Sequence, residues 1–249
     1  MSTKTVLITG AGSGFGKLAA VSLAAQGHTV IATTETEEQK EALAAEHPTL
    51  TVEKLDVTTS DVTKVANWNI DVLVNNAGMG ITGPMADLPM EKLRRIFEVN
   101  VFGTVSITQE VLKQMLPRKS GRVIILSSIA GAVAIPTFGP YSMTKFALEA
   151  MGKALRGEVA SAGVDVTLLN PGPYNTGFND RMAHSMWDWF SEASLTGGES
   201  EMFRSIGEFV VADQGDPQDV ADKIVALCEA ETTEVNNWIP ESIKGLITL

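Results

Sequence analysis

Thr9-Gly10-Ala11-Gly12-Ser13-Gly14-Phe15-Gly16 is the stretch on which the fold turns. Before it runs Thr5-Val6-Leu7-Ile8-Thr9, a continuous apolar segment of the kind a buried strand shows; after it, Lys17 to Gln26 carry apolar residues at helical spacing. A glycine cluster by itself is a weak signal and is consistent with a flexible turn. Between a strand and a helix it has a specific use. Gly10 allows a tight exit from the strand, Gly14 lets the backbone approach a pyrophosphate, and Gly16 lets helix and strand pack closely. The amides of Ser13, Gly14, Phe15 and Gly16 open the helix and face an anion. The expectation is a dinucleotide site.

Outward from the loop, short apolar runs alternate with longer periodic stretches. Thr29-Val30-Ile31-Ala32 reads as a second strand, and Thr36 to Glu46 as a charged helix stopped at His47-Pro48. Strands follow at Leu50 to Leu55, Asp71 to Val74, Arg122 to Leu126 and Val164 to Leu169, with helices expected over about 90–116 and 141–161. Strands apolar on both faces, separated by helices, make a parallel sheet covered on both sides. Right-handed crossovers then give an α/β, Rossmann-type doubly wound sheet. No repeat or linker divides the chain, so residues 1–249 read as one domain. Composition changes once, over 173–215, where Met182, Met186, Trp187, Trp189, Phe190, Met202 and Phe203 cluster without a strand pattern. That stretch is expected to be a lid over the ligand-binding edge of the sheet.

The 249 residues include 44% hydrophobic and 20% charged residues, a globular balance rather than a disordered one. The formal charge of −11 disfavours non-specific contact with nucleic acid. Cys228 is the sole cysteine, which excludes an internal disulfide and a cysteine-based zinc site. With histidines only at 28, 47 and 184, no metal is expected. No apolar run reaches membrane-spanning length, and no basic segment leads into a signal-like stretch. A cytoplasmic protein acting on a small molecule, without membrane or nucleic-acid partners, is the expectation.

Three further segments carry chemistry. The second strand ends Ala32-Thr33-Thr34-Glu35, where an acidic side chain accepts a ribose hydroxyl and repels a 2′-phosphate. Glu35, with no Arg or Lys near it in sequence, points to NAD in preference to NADP; Thr34 is the alternative occupant of that position. Tyr141 and Lys145 lie four residues apart, on one face if helical. A nearby ammonium lowers a phenol from its ordinary value of about 10, as general acid/base work near neutrality requires. Ser127-Ser128 end the fifth strand at the edge where such sheets bind ligands. Ser128 can hydrogen-bond a substrate oxygen, while alternation turns Ser127 to the other face. Asn100 is a polar residue on a long apolar helix, and a buried amide there needs partners.

With these segments in place, the chain resembles the short-chain dehydrogenase/reductase family over about residues 4–176. The glycine motif matches Thr9 to Gly16, an Asn-Asn-Ala-Gly motif matches Asn75-Asn76-Ala77-Gly78, the active-site tetrad matches Asn100, Ser128, Tyr141 and Lys145, and a Pro-Gly motif matches Pro171-Gly172. The resemblance implies an adenine contact at Asp56 with backbone contact at Val57. It also implies cofactor contacts along Asn76, Ala77 and Gly78, and a nicotinamide contact at Thr176 with Tyr174 beside it. Tyr141 would exchange a proton with the substrate oxygen as hydride moves, Ser128 would orient that oxygen, Lys145 would hold the nicotinamide ribose and tune Tyr141, and Asn100 would position a relay water. The implied reaction is interconversion of a secondary alcohol and a ketone with NAD, or less readily NADP. A non-catalytic dinucleotide sensor or scaffold, and a lyase or epimerase, remain as alternatives.

Two departures from the family pattern stand out. Only Thr58 to Trp68 separates the third and fourth strands, and Trp238 to Leu249 lacks the Asp-Gly-Gly ending that lies beside a subunit contact in tetrameric members. A homodimer and a homotetramer both stay open. Phe138, Ile129, Tyr174 and Met186 are expected pocket walls and Arg181 and Arg204 surface residues, which suits a medium-sized, largely apolar substrate.

Overall fold

Each strand of the sheet is buried on both faces, and that explains why it reads as an unbroken apolar run. In the computed structural model, which describes residues 3–246, Val6 and Ile8 of β1 (Thr5–Ile8) pack with Ala19, Ala20 and Leu23 of α1 (Gly14–Ala25) on one face. Leu7 packs on the opposite face with Ile107, Val111 and Met115. Burying each such Leu or Ile contributes roughly 1.5–3 kcal/mol.

The remaining elements are β2 (Thr29–Thr34), α2 (Glu37–Glu46), β3 (Thr51–Lys54), β4 (Val72–Asn75), α3 (Met90–Phe97), α4 (Thr104–Arg118), β5 (Gly121–Leu126), α5 (Gly139–Val159), β6 (Val164–Pro171), α6 (Phe178–His184), α7 (Ser200–Ala212), α8 (Pro217–Glu229) and β7 (Asn236–Ile239). Seven strands run in the order β3-β2-β1-β4-β5-β6-β7, all neighbours parallel. This is the expected doubly wound sheet. The chain reverses its direction of winding between β1 and β4, and the crevice at their carboxyl ends is where such sheets bind ligands.

Two elements differ from the sequence expectation, and a third, the short stretch between β3 and β4, agrees with it. The helix expected over 90–116 is two helices joined by a π-helical turn at Glu98–Gly103. Thr58 to Trp68 holds only a 3₁₀ helix, Ser60–Asn67, as its length requires. The edge strand β7 was not expected at all. Its Asn237 is buried, with Nδ2 donating to Thr167 Oγ1 at 2.7 Å, so polar contacts set it against β6. The end of the Trp238 to Leu249 stretch, 247–249, lies outside the described residues, as do 1–2.

The expected lid, 173–215, contains α6 and α7, which pack on each other. Its aromatic residues largely pack among themselves: Phe190 meets Trp187, Trp189 and Phe203 at 5.9, 6.1 and 5.7 Å between ring centroids. Met186 is buried in that cluster and does not reach the cavity, which corrects its assignment as a pocket wall. No described helix is long and apolar enough to cross a membrane, and no group of described residues could hold a metal ion.

Candidate active site

The glycine loop adopts backbone angles that require glycine. Gly10 and Gly14 have φ of +65° and +55°, and a Cβ on Gly10 would lie 2.7 Å from the Ala77 Cα. A brace after β4 holds the loop. Asn76 Nδ2 donates to the carbonyls of Thr9 and Gly10 at 2.9 and 3.0 Å, and Thr9 Oγ1 accepts from the amides of Asn76 and Ala77. Gly16 is a packing glycine, since any Cβ there would run into Asn76 Nδ2.

The N-terminus of α1 carries no side-chain cap from Ser13 and no acidic residue in its first turn. Its free amides and positive dipole end therefore suit an anion. They open on a cavity of about 1080 Å³ that runs from Glu35 and Asp56 past the loop to Ser128 and Tyr141. Gly78, Pro171, Gly172, Tyr174 and Thr176 line the same space. A long cleft with a phosphate-type cradle at its middle and hydroxyls at one end fits a dinucleotide.

At the far end, Asp56 Oδ1 accepts from the amide and hydroxyl of Thr58 at 2.9 and 2.7 Å, leaving Oδ2 for a ligand amine. Val57 lies beside it on the wall. Thr34 does not face the cavity. It is 1% exposed and donates its hydroxyl to the Thr36 carbonyl at 3.1 Å, so of the two residues it is Glu35 whose side chain is available at this end of the cavity. The expectation that no base lies near Glu35 also fails. Arg95 of α3 reaches across from 60 residues away and puts Nη2 3.4 Å from Glu35 Oε1.

At the near end, Tyr141 opens α5 and is buried. The Ser128 hydroxyl, two residues beyond β5, lies close enough to influence its phenol, donates to the Pro171 carbonyl at 3.5 Å and accepts from the Ala130 amide at 3.1 Å. Burial pushes that phenol above the usual tyrosine range, and Ser128 pulls it back only in part. This reverses the expectation that the neighbouring ammonium dominates. Lys145 Nζ sits 5.5 Å from the Tyr141 ring centroid and donates to the Leu126 carbonyl at 2.7 Å. Burial draws its pKa down to about 8, against the opposing charge of Glu149. Ser127 also lines the cavity, and its buried hydroxyl, which has no hydrogen-bond partner among the described residues, sits where a Cβ on Gly131 would come within 2.8 Å of it.

Asn100 does not enter the cavity. Its Oδ1 accepts from the Met79 amide at 2.8 Å, and Nδ2 donates to the Met79 carbonyl and to Thr144 Oγ1 at 2.9 and 3.1 Å. Both amide hydrogens are thus taken by protein acceptors. Asn100 ties the segment after β4 to the helix that carries Tyr141 and Lys145. The side-chain amide therefore has no hydrogen to spare, so any water held at Asn100 would donate to one of its oxygens.

Several wall residues carried no legible signal in the sequence. Phe178 of α6 sets its ring 5.9 Å from that of Tyr141, and Arg181, Phe209 and Arg95 also line the cavity. Arg181 is exposed, as expected of a surface residue, and also lines the cavity. Arg204 does sit outside, stacked on Trp187 at 4.1 Å.

The depressed pKa of Lys145 has a measurable consequence. Its ordinary value is 10.5, so between pH 8 and 10.5 the unfolded chain holds a proton that the folded chain has released. Stability contributed at Lys145 therefore rises with pH across that window. Tyr141 and Cys228, whose pKa values are raised by burial, act in the opposite direction at higher pH. The difference between the wild type and Lys145→Met isolates the lysine: denaturant melts should show it growing by up to about 1.4 kcal/mol per pH unit above pH 8. A flat difference would mean that the ammonium is solvated.

Residues 4–187 match the family described as short chain dehydrogenase. The chain is 36% identical over 244 residues to the uncharacterized oxidoreductase YusZ of Bacillus subtilis, covering 91% of this chain and 85% of that one. It is 31% identical over 249 residues to retinol dehydrogenase 8 of Homo sapiens, covering 89% and 76%. Among solved structures, a short-chain dehydrogenase from Streptomyces avermitilis superposes with a TM-score of 0.84 at 32% identity, over 100% of this chain and 92% of that one. A serine dehydrogenase in its closed form with NADP+ gives 0.78 at 26% identity, over 94% of each chain. A braced glycine loop, a hydroxyl-bearing pocket at the carboxyl edge of a parallel sheet and a match over three quarters of the sequence converge, and the chain belongs to the short-chain dehydrogenase family of oxidoreductases.

Proposed function

We propose that the protein is an NAD(P)-dependent oxidoreductase that interconverts a secondary alcohol and a ketone, with Tyr141 as general acid/base. The observation that carries this reading is the placing of the Ser128 and Tyr141 side chains with Lys145 at one end of a cleft whose middle is the glycine loop. A bound nicotinamide supplies a hydride acceptor or donor at that end. The protein supplies everything around it. Ser128 donates to the substrate oxygen and fixes its position. Tyr141 takes the hydroxyl proton during oxidation and returns it during reduction. The positive ring of an oxidised cofactor would lower the phenol from the high value that burial imposes in the free protein. Asn100 holds the helix start in register through Thr144 and Met79.

Glu35 at the ribose corner supports NAD, although Arg95 alters what that corner accepts. The walls beyond Tyr141 support a medium-sized, largely apolar substrate: Ile129, Ile135, Phe138, Phe178, Phe209 and Val210 face the cavity. The likeness to a retinol dehydrogenase is in keeping with such a ligand.

The test is a panel of aliphatic and alicyclic secondary alcohols and ketones, set beside sugars and hydroxy acids, with each dinucleotide. The near-ultraviolet band of reduced nicotinamide is the readout. One equivalent of reduced cofactor per ketone formed, with apolar alcohols preferred, is the expected result. Turnover of sugars or acids alone would overturn the substrate class. Dinucleotide binding without turnover of any member would favour the sensor alternative.

A further inference from the structure

We propose that Glu35 and Arg95 form an opening pair at the adenine-ribose corner through which the protein binds both NAD and NADP, Glu35 accepting the 2′-hydroxyl of the first and Arg95 the 2′-phosphate of the second. This rests on the dinucleotide reading of the cleft. It extends that reading to a residue, Arg95, that comes from α3 rather than from the loop or the second strand.

The pair is built to separate. Its atoms are 3.4 Å apart, and the two side chains are 58% and 47% exposed, so water and salt screen the attraction and little holds it closed. Arg95 is the only side chain recorded against the Glu35 carboxylate among the described residues, and Glu35 the only one recorded against the Arg95 guanidinium. The backbones beneath are firmly placed. The Glu35 amide donates to Gln39 Oε1 at 3.1 Å within a capping box at the start of α2. Ile96, next to Arg95, is fully buried in the cluster that also holds Phe138 and Tyr141. Two fixed stems thus carry two exposed heads that both line the cavity.

Each ligand has its own partner in that corner. A ribose 2′-hydroxyl donates to the Glu35 carboxylate while Arg95 stays paired, so NAD leaves the ion pair intact. A 2′-phosphate repels Glu35 but matches the planar guanidinium fork, which binds phosphate oxygens two at a time. NADP therefore exchanges one carboxylate partner of Arg95 for a more highly charged one. An isolated Glu35 would exclude NADP; with Arg95 beside it, the phosphate meets a cation that offsets the repulsion.

Direct binding tests this without turnover. NADH and NADPH are titrated by nicotinamide fluorescence, and 5′-AMP and adenosine 2′,5′-bisphosphate compete for the adenosine end, in the wild type, Arg95→Gln and Glu35→Gln. The wild type should bind NADPH within about tenfold of NADH, and Arg95→Gln should weaken both 2′-phosphorylated ligands by roughly tenfold or more while leaving NADH and 5′-AMP within about twofold. Glu35→Gln should tighten NADPH. Equal weakening of both ligand classes by Arg95→Gln, no weakening of either, or a wild type that discriminates by more than about a thousandfold would overturn the pair's role while leaving the dinucleotide site standing. Failure of the wild type to bind either dinucleotide would overturn the reading beneath it as well.

Discussion

Tyr141→Phe should lower kcat by roughly 10³, within the range that a positioned acid/base contributes, and leave dinucleotide affinity within about twofold. The ring stays. It remains packed against Phe178 at 5.9 Å and in the cluster with Ile81, Phe138 and Met182. Only the proton carrier goes. The phenol is buried and its ionisation is opposed by that burial, so removing the hydroxyl exposes no new charge to the core. The Ser128 hydroxyl keeps the Ala130 amide as a donor at 3.1 Å. Stability should therefore change by no more than about 1 kcal/mol. Stopped-flow measurement of nicotinamide reduction, with thermal melts alongside, checks both halves. Retention of most activity would remove Tyr141 from the chemistry; a loss of folding would make the geometry, not the phenol, the cause.

Ser128→Ala should cost roughly 10²-fold in kcat, in line with the loss of one preorganised donor to a developing oxyanion. The effect should be smaller than that of Tyr141→Phe, because the phenol still reaches the substrate oxygen. Two things are lost together. One is the donor that holds the oxygen. The other is the influence that pulls the Tyr141 phenol downward. Loss of the Ser128 influence that lowers the phenol should appear as a shift of the pH profile for alcohol oxidation toward higher pH. Ser128→Thr, which restores a hydroxyl, should recover part of the rate. A change in KM alone, with kcat and the pH profile unmoved, would reduce Ser128 to a binding residue.

The parts of this account that were legible in sequence share one physical origin: they are local. Each central strand is buried on both faces, so it spells itself as a run of Val, Ile and Leu. The glycine loop needs positive φ at Gly10 and Gly14, and only glycine supplies that cheaply. Tyr141 and Lys145 are four residues apart on one helix, so their partnership is written in the spacing.

What was not legible depends on distance or on polar packing. Arg95 meets Glu35 from 60 residues away, and nothing in either segment announces the other. Both faces of the end of β2 are covered, with Thr33 and Thr34 each buried, so alternation alone cannot place Glu35 against Thr34. The π-helical turn at Asn100 departs from α-helical spacing over only six residues, too few to disturb an apolar pattern. Edge strand β7 is held by Asn237 rather than by an apolar stripe. Met186 and Trp189 look alike in composition, yet one is sealed among lid aromatics while the other also packs with the cluster around Tyr141.

Only two tyrosines occur in the chain, Tyr141 and Tyr174, and that makes the central claim open to direct spectroscopy. Both phenols are raised by burial in the free protein. The near-ultraviolet absorbance of tyrosinate should be followed through a pH titration, with and without oxidised dinucleotide. One tyrosinate should appear well below the ordinary tyrosine value of about 10 when the oxidised cofactor is bound, and it should vanish in Tyr141→Phe. A complex in which neither phenol ionises early, or in which the early signal survives Tyr141→Phe, would contradict the account.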